Sequence, residues 1–191
     1  MVTSIQARRM AILKAQEYLR ARPLYLDTET TGLNPLDEIV EICIVDHDGK
    51  VLLNSLVRPT RPIPAEVIRV HGITNPMVAG APAWSEVWPE VRAILSGRQV
   101  GIYNADFDLK MMQQSSRAHR LTLDQTGWDR FCLMKLYASY YGQVGYRGEF
   151  RWQRLEDAAR QCQIKLLNTH RALDDTLLAR ALLEYMASQT P

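Results

Sequence analysis

The stretch Leu24–Leu33, LYLDTETTGL, places two carboxylates two residues apart at the end of an apolar run. The apolar run predicts a buried strand, and residues i and i+2 of a strand point to the same face of a sheet. Asp27 and Glu29 are therefore expected to share a face. Because like charges this close repel, and burial adds to the cost, a chain tolerates such a pair when a cation lies between them. We expect partners for this pair elsewhere in the chain.

The bulk composition is that of an ordinary globular domain. The 191 residues suffice for one domain with its own core, and the hydrophobic fraction is 47%. A net charge of +2 permits a polyanionic partner without arguing for one. Cys43, Cys132 and Cys162 are widely spaced, which argues against a disulfide framework or a zinc site. No apolar run reaches the roughly 18 residues of a membrane span, and the start lacks a secretory signal, so we expect a cytoplasmic protein.

The order of elements predicts an α/β fold with a mixed sheet. Strands are predicted at 24–30, in a hairpin over 39–59 that turns at Asp48-Gly49, and at 98–105. Because hairpin strands run antiparallel, the sheet must be mixed. Helices are predicted at 85–95 with Ser85 as a cap, at 106–120, 130–142, 151–164 and 170–186.

Residues 1–22 carry apolar residues at helical spacing and predict an amphipathic helix packed on a domain that spans 23–191. This extra helix is interpreted either as a brace or as the contact of a homodimer. Glu41 and Asp37 belong to no motif and are expected at the surface or at a sheet edge.

Two further acidic sites accompany the first pair. NADFD places Asp108 in the first turn of a helix that follows a buried strand, and strand ends of this kind gather functional groups in α/β proteins. HRALDD places His170 at a helix start with Asp175 five residues on and Asp174 four residues on. Steps of three to five residues keep helical groups on roughly one side, so His170 and Asp175 are expected to face one cleft.

Four carboxylates and an imidazole that converge predict a particular chemistry. Oxygen ligands suit Mg²⁺ or Mn²⁺ rather than Zn²⁺. Two such ions about 4 Å apart can clamp the attacking and leaving oxygens of a phosphoryl displacement. A neutral histidine can take the proton from the attacking water. The pattern therefore predicts hydrolysis of a phosphodiester by two metal ions.

LDTETTGL, NADFD and HRALDD resemble the three motifs of the DnaQ-like, DEDDh-type 3′–5′ exonucleases. This family includes the proofreading epsilon subunit of bacterial DNA polymerase III and ribonuclease T. VHGIT at 70–74 is similar to a segment between the first two motifs, and the resemblance runs from about Leu24 to about Tyr185. It implies a ribonuclease H-like mixed five-stranded sheet flanked by helices. It also implies release of nucleoside 5′-monophosphates from the 3′ end of single-stranded DNA or RNA with two Mg²⁺ or Mn²⁺ ions.

The resemblance also implies roles for individual residues. The metal ligands are Asp27, Glu29, Asp108 and Asp175, and the general base is His170. Asp175 is preferred to Asp174 because the family's histidine lies five residues before the ligand. The implied substrate contacts are Thr30, Thr31, Leu33, Asn104 and His71; a structural loop histidine is an equal alternative for His71.

Several alternatives stay open. The segment YRGEFRWQR at 146–154 could hold a single strand on its arginines and aromatic rings, but we favour a solvated helix start with Trp152 in the core. A non-catalytic nucleic-acid-binding protein and a phosphodiesterase for dinucleotides or short oligonucleotides are the competing functions. The choice between DNA and RNA is open. The chain ends soon after the third motif without a long tail, so a stable polymerase partner is not expected.

Overall fold

The computed structural model describes residues 3–122, 127–146, 148–166 and 169–191. Its centre is a mixed five-stranded sheet in the order β3-β2-β1-β4-β5. The strands are β1 Leu24–Thr30, β2 Ile39–Val45, β3 Val51–Leu56, β4 Gln99–Ile102 and β5 Asp129–Cys132. The first three pair antiparallel, whereas β4 runs parallel to both β1 and β5. The predicted fold class is confirmed.

Helices cover both faces of the sheet. They are α1 Ser4–Arg20, α2 Ala65–His71, α3 Asn75–Val78, α4 Trp84–Leu95, α5 Ala105–Ala118, α6 Leu133–Tyr141, α7 Leu155–Gln161 and α8 Ala172–Ser188. None of these described helices is long and apolar enough to span a membrane.

The two faces of β1 belong to two different cores. Tyr25 packs in a cluster with α1, α6 and α8, whereas Leu24 and Leu26 pack in a cluster with α4 and α5. Because side chains alternate along a strand, Asp27 and Glu29 continue the face that α8 covers. Thr28 continues the face that α5 covers. This alternation decides from which side each functional group reaches the end of β1.

Helix α1 is held on the domain by its small apolar side. Ala11, Ile12 and Ala15 are buried in the cluster that includes α6 and α8. The guanidinium of Arg8 donates to the hydroxyl of Tyr140 at 2.7 Å and lies over its ring. The helix therefore contributes to the core that supports α8.

The structure corrects the prediction of a helix over 130–142, because Asp129–Cys132 form β5 and the helix begins only at Leu133. Parallel pairing with β4 overrides the local preference, since each residue of β5 has a partner in β4. The pairing needs Gly101, because a Cβ there would lie 2.7 Å from a ring carbon of Phe131.

Several helix starts also differ from the prediction, and α8 begins only at Ala172, so His170 precedes it. Helix α4 begins at Trp84 with Ala83 as the preceding residue, whose N–H donates to the Glu86 carboxylate at 2.7 Å, so Ser85 is not the cap. Helix α7 begins at Leu155, so residues 151–154 are not helical. The expectation that Trp152 lies in the core is wrong, since 62% of its surface is exposed.

Candidate metal centre

Three carboxylates from two elements meet at the end of β1. Asp27, Glu29 and Asp175 each offer one oxygen, and the three oxygens lie within 4.8 Å of one another. The first two share a face of β1, and Asp175 lies in the first turn of α8. Helix α8 reaches this point because its buried residues, such as Ala172 and Leu183, pack on the same side of the sheet. We call these three residues the carboxylate triad.

The electrostatics of the triad favour a bound cation. Burial raises the pKa of Asp27 well above its ordinary range, and the charges of Asp108, Asp175 and Glu29 raise it further. Burial raises the pKa of Glu29 to about 9, and the charges of Asp175, Glu41 and Asp108 add to the effect of burial. Oδ1 of Asp175 is buried without a hydrogen-bond partner among the described residues. An all-carboxylate donor set with an unsatisfied oxygen fits a hard divalent cation.

Asp108 approaches this site from the opposite side of the sheet. It is 2% exposed in the first turn of α5, and its Oδ1 accepts a hydrogen bond from the Thr28 hydroxyl at 2.7 Å. Burial raises the pKa of Asp108 to about 7. Its charge raises the pKa of Asp27, so it lies within electrostatic range, but it is not part of the triad. The structure thus joins three of the four predicted ligands and sets the fourth beside them.

His170 lies in the loop before α8, next to the triad. It lines a cavity of about 110 Å³ together with Asp175 and three residues around the start of α7: Arg154, Leu155 and Glu156. Its backbone adopts a left-handed conformation with φ of +52°. This conformation costs a non-glycine residue about 1 kcal/mol, so the surrounding structure must hold it in place. The carboxylate of the neighbouring Asp174 accepts a hydrogen bond from the Thr169 hydroxyl, and Asp174 is not part of the carboxylate triad.

A partly buried ion pair between Glu41 and Arg171 supports this loop, and the sequence did not predict it. The carboxylate of Glu41 is buried and accepts from Nε of Arg171 at 3.0 Å and from the N–H of Ala172 at 3.0 Å. Glu41 pairs with Glu29 across β2 and β1, so the ion pair ties the His170 loop to the triad. The expectation that Glu41 lies at the surface or at a sheet edge is wrong, because Glu41 is buried in β2, which lies between β3 and β1. A single charge inside the apolar strand IVEICIV was the signal that could have found it.

The loop after the first motif is organised by Asp37. Its carboxylate accepts from the Thr31 hydroxyl at 2.9 Å and from the N–H of Asn34 at 2.6 Å. A Cβ at Gly32 would lie 2.6 Å from this carboxylate, and its φ is +152°, which explains a glycine there. Asp37 therefore does more than occupy the surface: it shapes the turn that follows Glu29.

The residues predicted to contact substrate differ in their exposure to solvent. Leu33 is 74% exposed beside the loop, whereas Thr30 and Thr31 are buried. The Thr30 hydroxyl donates to the carbonyl of Gly32 at 2.9 Å. Asn104 precedes α5 in a left-handed conformation with φ of +64°, which asparagine tolerates better than most residues. Of these side chains, that of Leu33 is the most accessible to a substrate.

Both ring nitrogens of His71 are used within the protein. Nδ1 accepts from the N–H of Ile73 at 3.0 Å, so Nε2 carries the proton and donates to the carbonyl of Thr30 at 3.2 Å. Burial lowers the pKa of His71. These bonds support the structural alternative and tie the VHGIT segment to the end of β1.

Comparisons with known proteins agree on one family. The exonuclease family model RNase_T matches residues 24–183. The chain is 38% identical over 181 residues to an uncharacterized exonuclease, CP81, of Escherichia phage 186, covering 91% of this chain and 92% of that protein. It is 33% identical over 123 residues to the DNA polymerase III epsilon subunit of Haemophilus influenzae, covering 59% of this chain and 47% of that subunit.

Solved structures show the same fold. Exonuclease X in complex with 5′-overhanging duplex DNA matches with a TM-score of 0.65 and 28% identity, covering 87% of this chain and 92% of that chain. The nuclease domain of 3′hExo, a DEDDh family member bound to rAMP, matches with a TM-score of 0.66 and 18% identity, covering 85% of this chain and 89% of that chain. The chain belongs to the DEDDh-type exonuclease family.

Proposed function

We propose that the protein is a metal-dependent 3′–5′ exonuclease that removes nucleoside 5′-monophosphates from single-stranded nucleic acid. The observation that carries the proposal is the carboxylate triad with His170 beside it, at the meeting of β1 and α8. A protein that only binds nucleic acid gains nothing from three mutually repelling, partly buried carboxylates, since each is costly to keep without a counter-charge.

The triad, Asp27, Glu29 and Asp175, would hold one divalent cation, and Asp108 would help Asp27 to hold a second. When bound, Mg²⁺ or Mn²⁺ supplies positive charge for the phosphoryl oxygens as negative charge develops on them. Four carboxylates without histidine or cysteine favour these hard ions over zinc.

His170 would act as the general base. Its imidazole takes a proton from the attacking water, and the water oxygen bonds to phosphorus. The bond from phosphorus to the 3′ oxygen of the preceding nucleotide breaks and this oxygen takes a proton from solvent water, which leaves a nucleoside 5′-monophosphate and a strand with a free 3′ hydroxyl. The cavity that His170 shares with Asp175 supports this role, because it puts the imidazole next to the cation ligands.

The polarity and substrate of the proposal draw on the relatives. Exonuclease X is seen with duplex DNA that has a 5′ overhang, and 3′hExo is seen with rAMP, a nucleoside monophosphate. Leu33, exposed four residues after Glu29 in the loop that follows β1, offers an apolar surface to a terminal nucleotide. These observations leave both DNA and RNA as substrates to be tested.

The test uses 5′-labelled DNA and RNA oligonucleotides with Mg²⁺, Mn²⁺ or EDTA. The wild type is expected to shorten the strand from its 3′ end with either metal and not with EDTA. Asp175→Asn should abolish shortening, whereas the matched neighbour Asp174→Asn should retain it, because Asp174 lies outside the triad. A wild type that leaves every strand intact would refute the proposal, and faster turnover of a dinucleotide than of a long strand would favour the phosphodiesterase.

The proposal extends to location and assembly. A cytoplasmic enzyme without a stable polymerase partner stays our prediction. A homodimer would use the outer side of α1, where Ile5, Met10 and Leu13 are exposed by 82%, 63% and 42%. Sedimentation velocity of the wild type and of Met10→Glu compares their oligomeric states and so tests the homodimer.

A further inference from the structure

The segment between α6 and α7 exposes two large aromatic side chains. The surface of Tyr146 is fully open to solvent and that of Trp152 is 62% exposed. With Val144, Phe150 and Arg151 they line an open concavity of about 820 Å³. Exposed aromatic rings grouped in this way are uncommon on a monomer and mark interaction sites. We call residues 144–152 the aromatic segment; Arg147 within it lies outside the described residues.

Hydrogen bonds give the aromatic segment a defined shape. Val144 and Phe150 form an antiparallel bridge, and the N–H of Gly145 donates to the carbonyl of Glu149 at 2.7 Å. At its base the N–H of Arg151 donates to the carbonyl of Gln143 at 2.8 Å. A hairpin of this kind can present its rings without ordering them anew for each ligand.

The base of the segment is anchored at the active-site end of the sheet. The carbonyl of Gln153 accepts from the hydroxyl of Tyr103 at 2.9 Å, and Tyr103 directly follows β4. The next residue, Arg154, lines the cavity of His170 and Asp175. Trp152 precedes Arg154 by two residues, so their Cα atoms are within about 7 Å. The aromatic surface therefore adjoins the cavity where we place the chemistry.

We propose that the aromatic segment binds the nucleotides of a single strand that precede the 3′-terminal one, by stacking their bases on Trp152 and Tyr146. The inference rests on the proposed exonuclease function. Base stacking on aromatic rings contributes substantially per base and tolerates any sequence, which suits an enzyme that moves along a strand. A single strand is the fitting occupant, because in a duplex the base faces are already stacked.

Within the described part of the chain, this surface carries few unpaired positive charges, so base stacking is expected to contribute more to strand binding than attraction to the phosphates. The guanidinium of Arg151 has no ion pair among the described residues and can contact a phosphate. Nε of Arg154 lies 3.1 Å from the Glu156 carboxylate, and Glu149 adds an exposed negative charge. With about one phosphate neutralised, binding to the segment is expected to depend only weakly on salt.

The binding test uses a 5′-fluorescein 12-residue oligothymidylate and the Asp175→Asn protein, which does not degrade it. Fluorescence anisotropy is expected to show about tenfold weaker binding for Trp152→Ala, and a similar loss for Tyr146→Ala. Trp152→Phe should recover most of the affinity, because it restores a stacking ring. Val51→Ala, an exposed apolar truncation on β3, is the matched control and should bind like its parent. Binding by Trp152→Ala within twofold of its parent would overturn the proposal.

A turnover test separates this inference from the proposed function. Thymidine 5′-(p-nitrophenyl) phosphate carries the reacting phosphodiester but no preceding nucleotide. In the enzyme with Asp175 intact, Trp152→Ala is expected to lower kcat/KM on the oligonucleotide about tenfold more than on this ester. Equal losses on both substrates, or a changed oligomeric state with unchanged oligonucleotide binding, would refute the aromatic segment as a strand site. If the wild type cleaves neither substrate while Trp152→Ala still weakens binding, the exonuclease proposal fails and the aromatic segment stands.

Discussion

Replacing Asp175 by asparagine should stabilise the metal-free protein while it abolishes metal binding. The change removes one charge from the carboxylate triad and keeps the size of the side chain. The new amide can donate to the remaining carboxylates, whereas Oδ1 of Asp175 is buried without a partner among the described residues. Repulsion and desolvation in the triad would thus be relieved at the cost of the cation site.

The magnitude follows from the pKa of Asp175, which burial raises from 3.8 to about 6. A carboxyl whose pKa is raised on folding binds its proton more tightly in the folded state. Its ionisation therefore destabilises the fold as pH rises through this range, and the full effect is present above about pH 6. The difference corresponds to about 3 kcal/mol. Because the carboxylate is partly exposed and screened by water, we expect about 2 kcal/mol for Asp175→Asn at pH 8.

Thermal unfolding followed by circular dichroism measures this. In EDTA at pH 8 the Tm of Asp175→Asn should exceed that of the wild type by roughly 4–8 °C, and by less at pH 5. With 10 mM MgCl₂ the Tm of the wild type should rise, because a ligand that binds only the folded state stabilises it. The Tm of the variant should hardly respond.

Two results would refute the reasoning. One is a lower Tm for Asp175→Asn than for the wild type at pH 8 in EDTA, which would mean that the triad carries no net repulsion. The other is an equal gain for Asp174→Asn, which lies next in the chain but outside the triad. An equal gain would point to a general effect of charge at the start of α8 rather than to the site.

Three further predictions concern the ion pair of Glu41, the proposed general base and the packing at Gly101. Glu41→Gln should lower the free energy of unfolding by about 2 kcal/mol, measured by urea titration. This loss is smaller than that of a fully buried ion pair, because Arg171 is 38% exposed. His170→Gln should lower kcat by about 10²–10⁴-fold on a labelled oligonucleotide while the rise in Tm with Mg²⁺ is retained. Gly101→Ala should destabilise the fold by about 1–3 kcal/mol in urea, because its Cβ would lie 2.7 Å from the Phe131 ring.

Two of these predictions, those for Glu41→Gln and Gly101→Ala, have a matched control. Glu17→Gln breaks an exposed ion pair with Lys14 and should change the free energy of unfolding by less than about 1 kcal/mol. Gly80→Ala meets no atom within 4 Å of the new Cβ and should be close to neutral. If Glu41→Gln resembles Glu17→Gln, or Gly101→Ala resembles Gly80→Ala, burial does not act as we argue. A His170 variant with full kcat would assign the proton transfer to another group.

The predictions that held rest on short-range geometry. The spacing of Asp27 and Glu29 implies a shared face whatever surrounds them, and the structure places both toward α8. The five-residue step from His170 to Asp175 also brings both to one cavity, although His170 lies in the loop before α8 and not in the helix. Such relations hold because they involve residues close together in the chain.

The predictions that failed concern partners distant in the chain. The prediction of a helix over 130–142 was wrong at its start, because Asp129–Cys132 pair with β4 in the sheet. Burial of Trp152 was wrong because the hairpin around it turns the ring to solvent. The ion pair of Glu41 with Arg171 joins residues 130 positions apart, so the charge inside the apolar strand could mark Glu41 but no local pattern identifies Arg171 as its partner.

Motifs and periodicity are local properties, so they suffice to predict acidic groups at strand and helix ends in the order of an exonuclease family. Which carboxylates meet depends on how distant elements pack. The tertiary structure groups Asp175 with the first pair and sets Asp108 beside them, bonded to Thr28 on the other face of β1, since α8 and α5 pack on opposite faces of this strand. The physical reason is that a strand has two faces, and long-range packing chooses which helix covers each.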